Sequence, residues 1–264
     1  MLRKKLAIYL IYGKKGSGKS LCQAREALKL FKQYKKAEKR YPELPKRIYY
    51  SNMKMSEEIE KQEYGKHLYY WNNAEQLKNC PRTDCWKGNE PHPVHDTDIG
   101  HDEIGKDLPA GKYAETPAWF KQMFSHLRKR GNRYLANTQV YEDIDIAFRR
   151  QIDYAFKIEK IMGSGDLTAT EPAPYFIWGI ITIREFDPVL LEWERDPDKR
   201  EIKGKGLPDF LFIQKKFVEA YNTADEIPPY KPNTLEHMEY WCENPNCPIH
   251  GKNTGKPKIE HRKI

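Results

Sequence analysis

The sequence predicts an α/β fold: a mostly parallel sheet flanked by helices, with a small C-terminal appendage. Three observations carry this. Residues 6–12 are apolar at every position, as a strand buried on both faces of a parallel sheet must be. A glycine-rich octapeptide, Gly13-Lys-Lys-Gly-Ser-Gly-Lys-Ser20, follows without a gap. The segment after it carries Leu21, Ala24, Leu28 and Phe31 on one helical face. Strand, glycine loop and helix in that order are the first turn of a βαβ unit.

The octapeptide is a full match to G-x-x-x-x-G-K-[ST], and each residue type has a chemical reason. Gly13, Gly16 and Gly18 lack Cβ, so the backbone can curl with its N–H groups aimed inward at phosphate oxygens. A helix starting near Lys19 adds its positive dipole end. Lys19 would reach the β- and γ-phosphates, and the Ser20 hydroxyl would ligate Mg²⁺. Gly13, Gly16, Ser17, Gly18, Lys19 and Ser20 are thus the expected contacts of a nucleoside triphosphate, ATP with Mg²⁺, in a P-loop NTPase.

The chain has 264 residues, 32% charged and 39% hydrophobic, which suits one large α/β domain or such a domain with an appendage. Its net charge of +8 favours an acidic partner such as nucleic acid. No run reaches the roughly 18 to 20 apolar residues of a membrane helix; the longest, 6–12 and 176–183, are strand-length. The basic N-terminus, Met1 to Lys5, is not followed by a cleavage site of small residues, so it does not read as a signal peptide. The expectation is a cytoplasmic protein, with peripheral contact at an inner membrane as the alternative, and reduced cysteines.

A P-loop enzyme also needs an acidic pair at the end of a neighbouring strand, one residue for the metal and one for the attacking water. Asp102-Glu103 is the best candidate. The residues before it, 94–100, are more polar than a buried strand usually is. Asp96 or Asp98 therefore stays open as the metal residue, as does a solvated loop.

Thr116 and Pro117 then predict an N-cap and first helical residue, with Trp119, Phe120, Met123, Phe124 and Leu127 on one face. Arg128, Lys129 and Arg130 fall in the predicted last turn, and Gly131 suits the residue after the cap. Residues 133–139 predict a strand ending in Gln139, where a side chain faces the ligand crevice of a parallel sheet. A short helix over 143–150 and a half-buried strand over 151–158 follow. Arg149 is a candidate for a γ-phosphate contact across a subunit boundary, with Arg128, Arg130 and Arg150 as alternatives. Residues 175–186 predict one long or two short strands at the sheet edge.

This order of motifs resembles the zonular occludens toxin-like ATPases, relatives of the filamentous-phage assembly ATPase and, more distantly, of the FtsK–HerA DNA pumps. The resemblance rests on Gly13 to Ser20, the strand Tyr49-Tyr-Ser-Asn-Met53, Asp102-Glu103, and the helix end Phe124-Ser-His-Leu-Arg-Lys-Arg-Gly131. It continues through Asn137-Thr-Gln139, residues 144–149, and Phe217-Val-Glu-Ala-Tyr-Asn-Thr223, so it spans roughly residues 5–225. It implies a RecA- or FtsK–HerA-like ATPase that powers virion assembly or extrusion, or moves DNA, as a homo-oligomeric ring. By position it implies Lys19 and Ser20 as phosphate and Mg²⁺ residues, Asp102 and Glu103 as the acidic pair, and Gln139 as the sensor. Filamentous-phage members carry a transmembrane helix after the ATPase domain. No such helix is expected in this sequence, which shifts the expectation from membrane extrusion to genome packaging or translocation.

Of five cysteines, Cys22 lies in the helix after the loop and reads as a small core residue. The others form two pairs of equal spacing, Cys80 with Cys85 and Cys242 with Cys247, the latter followed by His250. Zinc is the expected ligand, because a tetrahedral site is closed by two short loops. Three arrangements are open: both pairs on one ion, the second pair with His250, or Cys80, Cys85, His92 and His95. The Pro-rich stretch at 228–232 divides a predicted ATPase domain, 1–227, from a Cys/His appendage and basic tail, 228–264. Two other functions share these features: a P-loop kinase for a small molecule, and a zinc-bearing nucleic-acid-binding protein that uses nucleotide as a switch. Thr138-Gln139 fits a translocating ATPase better than a kinase, and the polar run before Asp102 keeps the switch reading open.

Overall fold

A computed structural model describes residues 6–44, 46–82, 92–164, 178–193, 204–205 and 207–220. Its strands are β1 (Ile8–Tyr12), β2 (Ile48–Ser51), β3 (Leu68–Tyr70), β4 (Thr97–His101), β5 (Arg133–Thr138), β6 (Tyr154–Ser164), β7 (Trp178–Phe186) and β8 (Asp209–Ile213). Its helices are α1 (Lys19–Arg40), α2 (Glu57–Glu63), α3 (Ala118–Ser125), α4 (Ile146–Arg149), α5 (Pro188–Trp193) and α6 (Lys215–Val218). The strands form one sheet in the order β3-β2-β4-β5-β1-β6-β7-β8. From β3 to β6 every pairing is parallel; β7 runs antiparallel to both β6 and β8. The expected mostly parallel α/β sheet is what forms.

Strand β1 is buried throughout because it divides two cores. Ile8, Leu10 and Tyr12 face Phe120, Met123 and Phe124 of α3 and Phe148 of α4. Tyr9 and Ile11 face Leu21 and Cys22 of α1. The rest of α1 lays Ala24, Ala27, Leu30, Phe31 and Tyr34 over Tyr49, Leu68 and Tyr70. Leu28, expected on the inner stripe, sits at its half-buried border. No described helix is long and apolar enough to cross a membrane.

The polar strand before Asp102 is the main surprise. All five residues of β4 are buried, and their polar groups are paired, in large part with distant segments of the chain. Thr97 N–H donates to Asn132 Oδ1 at 3.1 Å, and its hydroxyl donates to the His95 carbonyl at 2.7 Å. Asp98 receives two guanidinium forks: Arg47 at 2.7 and 3.0 Å and Arg133 at 2.8 and 2.9 Å. The Tyr34 hydroxyl also donates to it. Hydrogen-bonded in this way, polar side chains are tolerated inside a sheet. Gly100 allows the close approach of β2: a Cβ there would land on the Tyr49 ring and the Ser51 hydroxyl. Gly100→Ala should therefore cost roughly 1–3 kcal/mol, checked by chemical denaturation; a stability equal to wild type would show that β2 and β4 have slack.

Other boundaries differ from expectation for local reasons. Helix α3 begins at Ala118 rather than Pro117, and the Thr116 hydroxyl donates backwards to the Lys112 carbonyl at 3.4 Å. It stops at Ser125, whose hydroxyl donates to the Gln122 carbonyl at 3.0 Å, a bond that competes with helix continuation. Arg128, Lys129 and Arg130 thus lie in turns, closed by Gly131 at φ +69°. The expected helix over 143–150 is split. A 3₁₀ turn, Tyr141–Asp143, gives way to Ile144, which is buried and bridges Pro109. Asp145 then caps α4 by accepting from the Ala147 N–H at 2.8 Å.

Strand β6 starts later than expected and runs to Ser164. Asp153 fixes its start, exchanging bonds of 2.9 and 3.0 Å with the Ile8 backbone. Strand β7 is a single strand inside the sheet, and the edge belongs to β8 instead. The appendage proposed for 228–264, with Cys242, Cys247 and His250, lies outside the described residues, as do Cys85 and residues 221–223 of the family-like stretch.

Candidate functional site

Four parallel strands, β1, β5, β4 and β2, end at one rim, and the chain leaving each contributes polar groups. From β1 the chain enters the glycine loop. Gly16 and Gly18 lie in the left-handed region, at φ +74° and +86°, where a side chain would be strained. At Gly13 a Cβ would press on Ser17 Oγ at 3.0 Å and the Ile158 carbonyl at 3.2 Å. Lys19, the first residue of α1, folds back so that its ammonium donates to the carbonyls of Gly13 (2.9 Å) and Lys14 (3.1 Å). Burial pushes its pKa down, against the opposing pull of the Glu103 and Asp102 charges.

Ser17 Oγ is buried with no hydrogen-bond partner among the described residues. An orphaned hydroxyl is costly unless something polar joins it, and here it sits inside a curl of glycine backbone at a helix start. These residues fit a polyphosphate. Ser20 Oγ donates to Asp102 Oδ1 at 3.0 Å, the juxtaposition of hydroxyl and carboxylate that a Mg²⁺ ion beside the phosphates would use.

Asp98 and Asp96, the alternatives to Asp102, have other partners. Asp98 is consumed by Arg47, Arg133 and Tyr34. Asp96 precedes β4 at the opposite end of the strand from Ser20, and its neighbours are His95 and Gly131. Only Asp102, following the last residue of β4, reaches the loop. Glu103 follows it in the left-handed region (φ 59°, ψ 54°), which costs a residue with a Cβ on the order of 1–2 kcal/mol. The twist turns the Glu103 carboxylate out of the sheet, where Gln139 Nε2 donates to its Oε2 at 3.3 Å. Gln139 is exposed, one residue beyond β5.

Sheet order brings these groups together. Strand β5 lies between β1 and β4, so its end stands between the phosphate loop and the acidic turn. Three further residues, with no role evident from the sequence, belong to the site. Asn137 of β5, Gln23 of α1 and Asn52 after β2 join the acidic turn to the loop helix through side-chain hydrogen bonds. Their signal was present in part, since Asn52 and Asn137 sit at strand ends within the stretches that carry the family resemblance. His101, the last residue of β4, is fully buried between the Tyr134 hydroxyl at 2.6 Å and the Asp107 carboxylate at 2.7 Å.

One expectation is corrected. Arg149 is enclosed, 1% exposed, with its guanidinium over the Tyr141 ring. A side chain buried in its own subunit does not reach across a boundary, whereas Arg128 and Arg150 are exposed and Arg130 half-buried. Of the proposed zinc ligands in the described residues, Cys80 is buried. Cys80, His92 and His95 form no cluster suited to an ion, and neither does any other set of His, Cys, Asp or Glu among the described residues.

A parallel βαβ sheet with a glycine loop at the exit of its first strand has the architecture of a P-loop fold. No protein-family model matches the sequence, and no curated protein matches it. Among solved structures, the N-terminal domain of zonular occludens toxin from Neisseria meningitidis is similar at 18% identity over 82% of this chain and 98% of that one, TM-score 0.43. The DNA-packaging ATPase B204 of Sulfolobus turreted icosahedral virus matches at 14% identity over 70% and 99%, TM-score 0.41. EssC of Geobacillus thermodenitrificans matches at 11% identity over 58% and 32%, TM-score 0.36.

Proposed function

We propose that the chain is a Mg²⁺-dependent ATPase of the motor kind, coupling ATP hydrolysis to virion assembly, genome packaging or DNA translocation. The observation that carries hydrolysis is the pairing of Glu103 with Gln139 at the rim, across from Lys19 and the Ser20–Asp102 contact. Lys19 and the loop amides would hold the triphosphate. Ser20 and Asp102 would hold Mg²⁺, which neutralises charge on the β- and γ-phosphates. The Glu103 carboxylate then accepts a proton from water lined up on the γ-phosphate, and Gln139 orients that water. Free phosphate and ADP are the products.

The coupling to DNA or a virion component rests on the motif order that resembles the zonular occludens toxin-like ATPases and on the net charge of +8. In this reading residues 1–227 form the motor and 228–264 an appendage, and the subunits assemble as a ring in the cytoplasm. Arg128, Arg130 or Arg150 would approach a neighbour's γ-phosphate, and zinc would sit in the appendage on Cys242, Cys247 and His250.

Calorimetry with a non-hydrolysable ATP analogue and Mg²⁺ tests the first step. Wild type should bind, and Lys19→Ala should lose affinity by tenfold or more, since a charge-assisted contact to phosphate disappears. No uptake by wild type at millimolar nucleotide would end the proposal. Phosphate release measured with and without single- and double-stranded DNA, beside a native mass, tests the motor. A phosphorylated small molecule in place of free phosphate would make the protein a kinase.

A further inference from the structure

The acidic turn holds Glu103 in a left-handed backbone conformation uncommon for a residue with a Cβ, and side-chain amides bond to the turn from both sides. Asn137, fully buried at the end of β5, uses both ends of its amide. Its Oδ1 accepts from the Glu103 N–H at 2.9 Å. Its Nδ2 donates to Asp102 Oδ1 at 2.5 Å and to Gln23 Oε1 at 2.7 Å. Gln23 is also fully buried, one turn into the helix that begins at Lys19, and its own Nε2 donates to the Tyr49 hydroxyl at 3.3 Å. From the other side Asn52 grips Asp102 by its main chain: Oδ1 accepts from the Asp102 N–H at 2.6 Å, and Nδ2 donates to the Asp102 carbonyl at 2.9 Å.

From this network we infer that Asn137 is a positioning residue for hydrolysis, tying the phosphate-loop helix to the turn that aims Glu103. The inference rests on the ATPase reading above and deepens it. A left-handed glutamate persists only where its surroundings over-determine it, and such strain gathers at sites where a side chain must point one way. An amide suits the task for a definite reason. Asn137 must accept from one neighbour and donate to two others at once; a carboxylate would be repelled by Asp102, and a hydroxyl has one proton to give. Because Gln23 travels with Lys19 and Ser20, its bond to Asn137 fixes Glu103 relative to the phosphates and not merely relative to the sheet.

Steady-state ATP turnover by wild type, Asn137→Ala, Gln23→Leu and the double variant decides this, with nucleotide affinity and thermal melting measured on each. Asn137→Ala should lower kcat roughly 10- to 100-fold with KM and nucleotide affinity within about threefold of wild type, because what it loosens acts in the transition state. Gln23→Leu should lower kcat several-fold. The double variant should be no slower than Asn137→Ala alone, since Gln23 acts through Asn137. A folded Asn137→Ala with unchanged kcat, or losses that multiply in the double variant, overturns the inference. If Asn137→Ala does not fold, Gln23→Leu decides alone: a reduced kcat at constant KM supports the tie, and an unchanged one breaks it. Wild type that binds nucleotide without turning it over would refute the ATPase reading instead.

Discussion

Glu103→Gln is expected to cut ATP turnover by roughly two to four orders of magnitude while leaving nucleotide affinity within about threefold of wild type, the range that loss of a general base produces. The substitution keeps the length of the side chain, and the backbone N–H that Asn137 holds is untouched. What changes is chemistry at one oxygen: the carboxylate that can take a proton from water becomes an amide that cannot. The neighbour adds to the loss, because Gln139 donates to Glu103 Oε2, and an amide can present its own N–H groups toward that donor. Gln139→Ala should be milder, since it removes orientation and leaves the base. Single-turnover phosphate release, read against analogue binding on the same preparations, separates the two effects. Turnover within tenfold of wild type in Glu103→Gln would mean that another group takes the proton.

The features legible in the sequence are those whose signals are local. Residues 6–31 carry strand, loop and helix within one window, because an all-apolar strand, glycines at positions of positive φ and a periodic stripe are each decided by near neighbours. The acidic pair and Gln139 were legible as positions, through motif order, while their meeting depended on β5 lying between β1 and β4. Strand β4 was illegible as buried because its polarity is answered from far along the chain, by Arg47, Asn132, Arg133 and Tyr134. Strand β8 has two exposed phenylalanines, Phe210 and Phe212, and no alternation of apolar with polar residues to announce it. Arg149 was misplaced for a related reason. A helix of four residues has too few turns for periodicity to tell its inner from its outer face, and Tyr141 covers the guanidinium.

The Asp98 cluster makes the second large prediction, this time on stability. Burial alone would push the Asp98 carboxyl up, but the charges and hydrogen bonds of Arg47 and Arg133 outweigh it and hold the group below the ordinary carboxylate range. Burial likewise works against both guanidiniums, and the Asp98 carboxylate more than restores them. Asp98→Asn fits the same space and leaves two cations, one of them buried, facing a neutral amide. Breaking such a pair costs about 3–5 kcal/mol, which for a domain of this size lowers the melting temperature by on the order of 10 °C. The sign with pH follows from the depressed carboxyl. Its contribution is complete above the unfolded value of roughly 4 and is lost as pH falls through the lower folded value. The gap between wild type and Asp98→Asn should therefore be widest near neutrality and narrow as pH drops below about 4. Melting curves at pH 7 and along an acid series check both parts. If the variant melts with wild type at pH 7, then β4 does not depend on the two arginines, and its burial needs another cause.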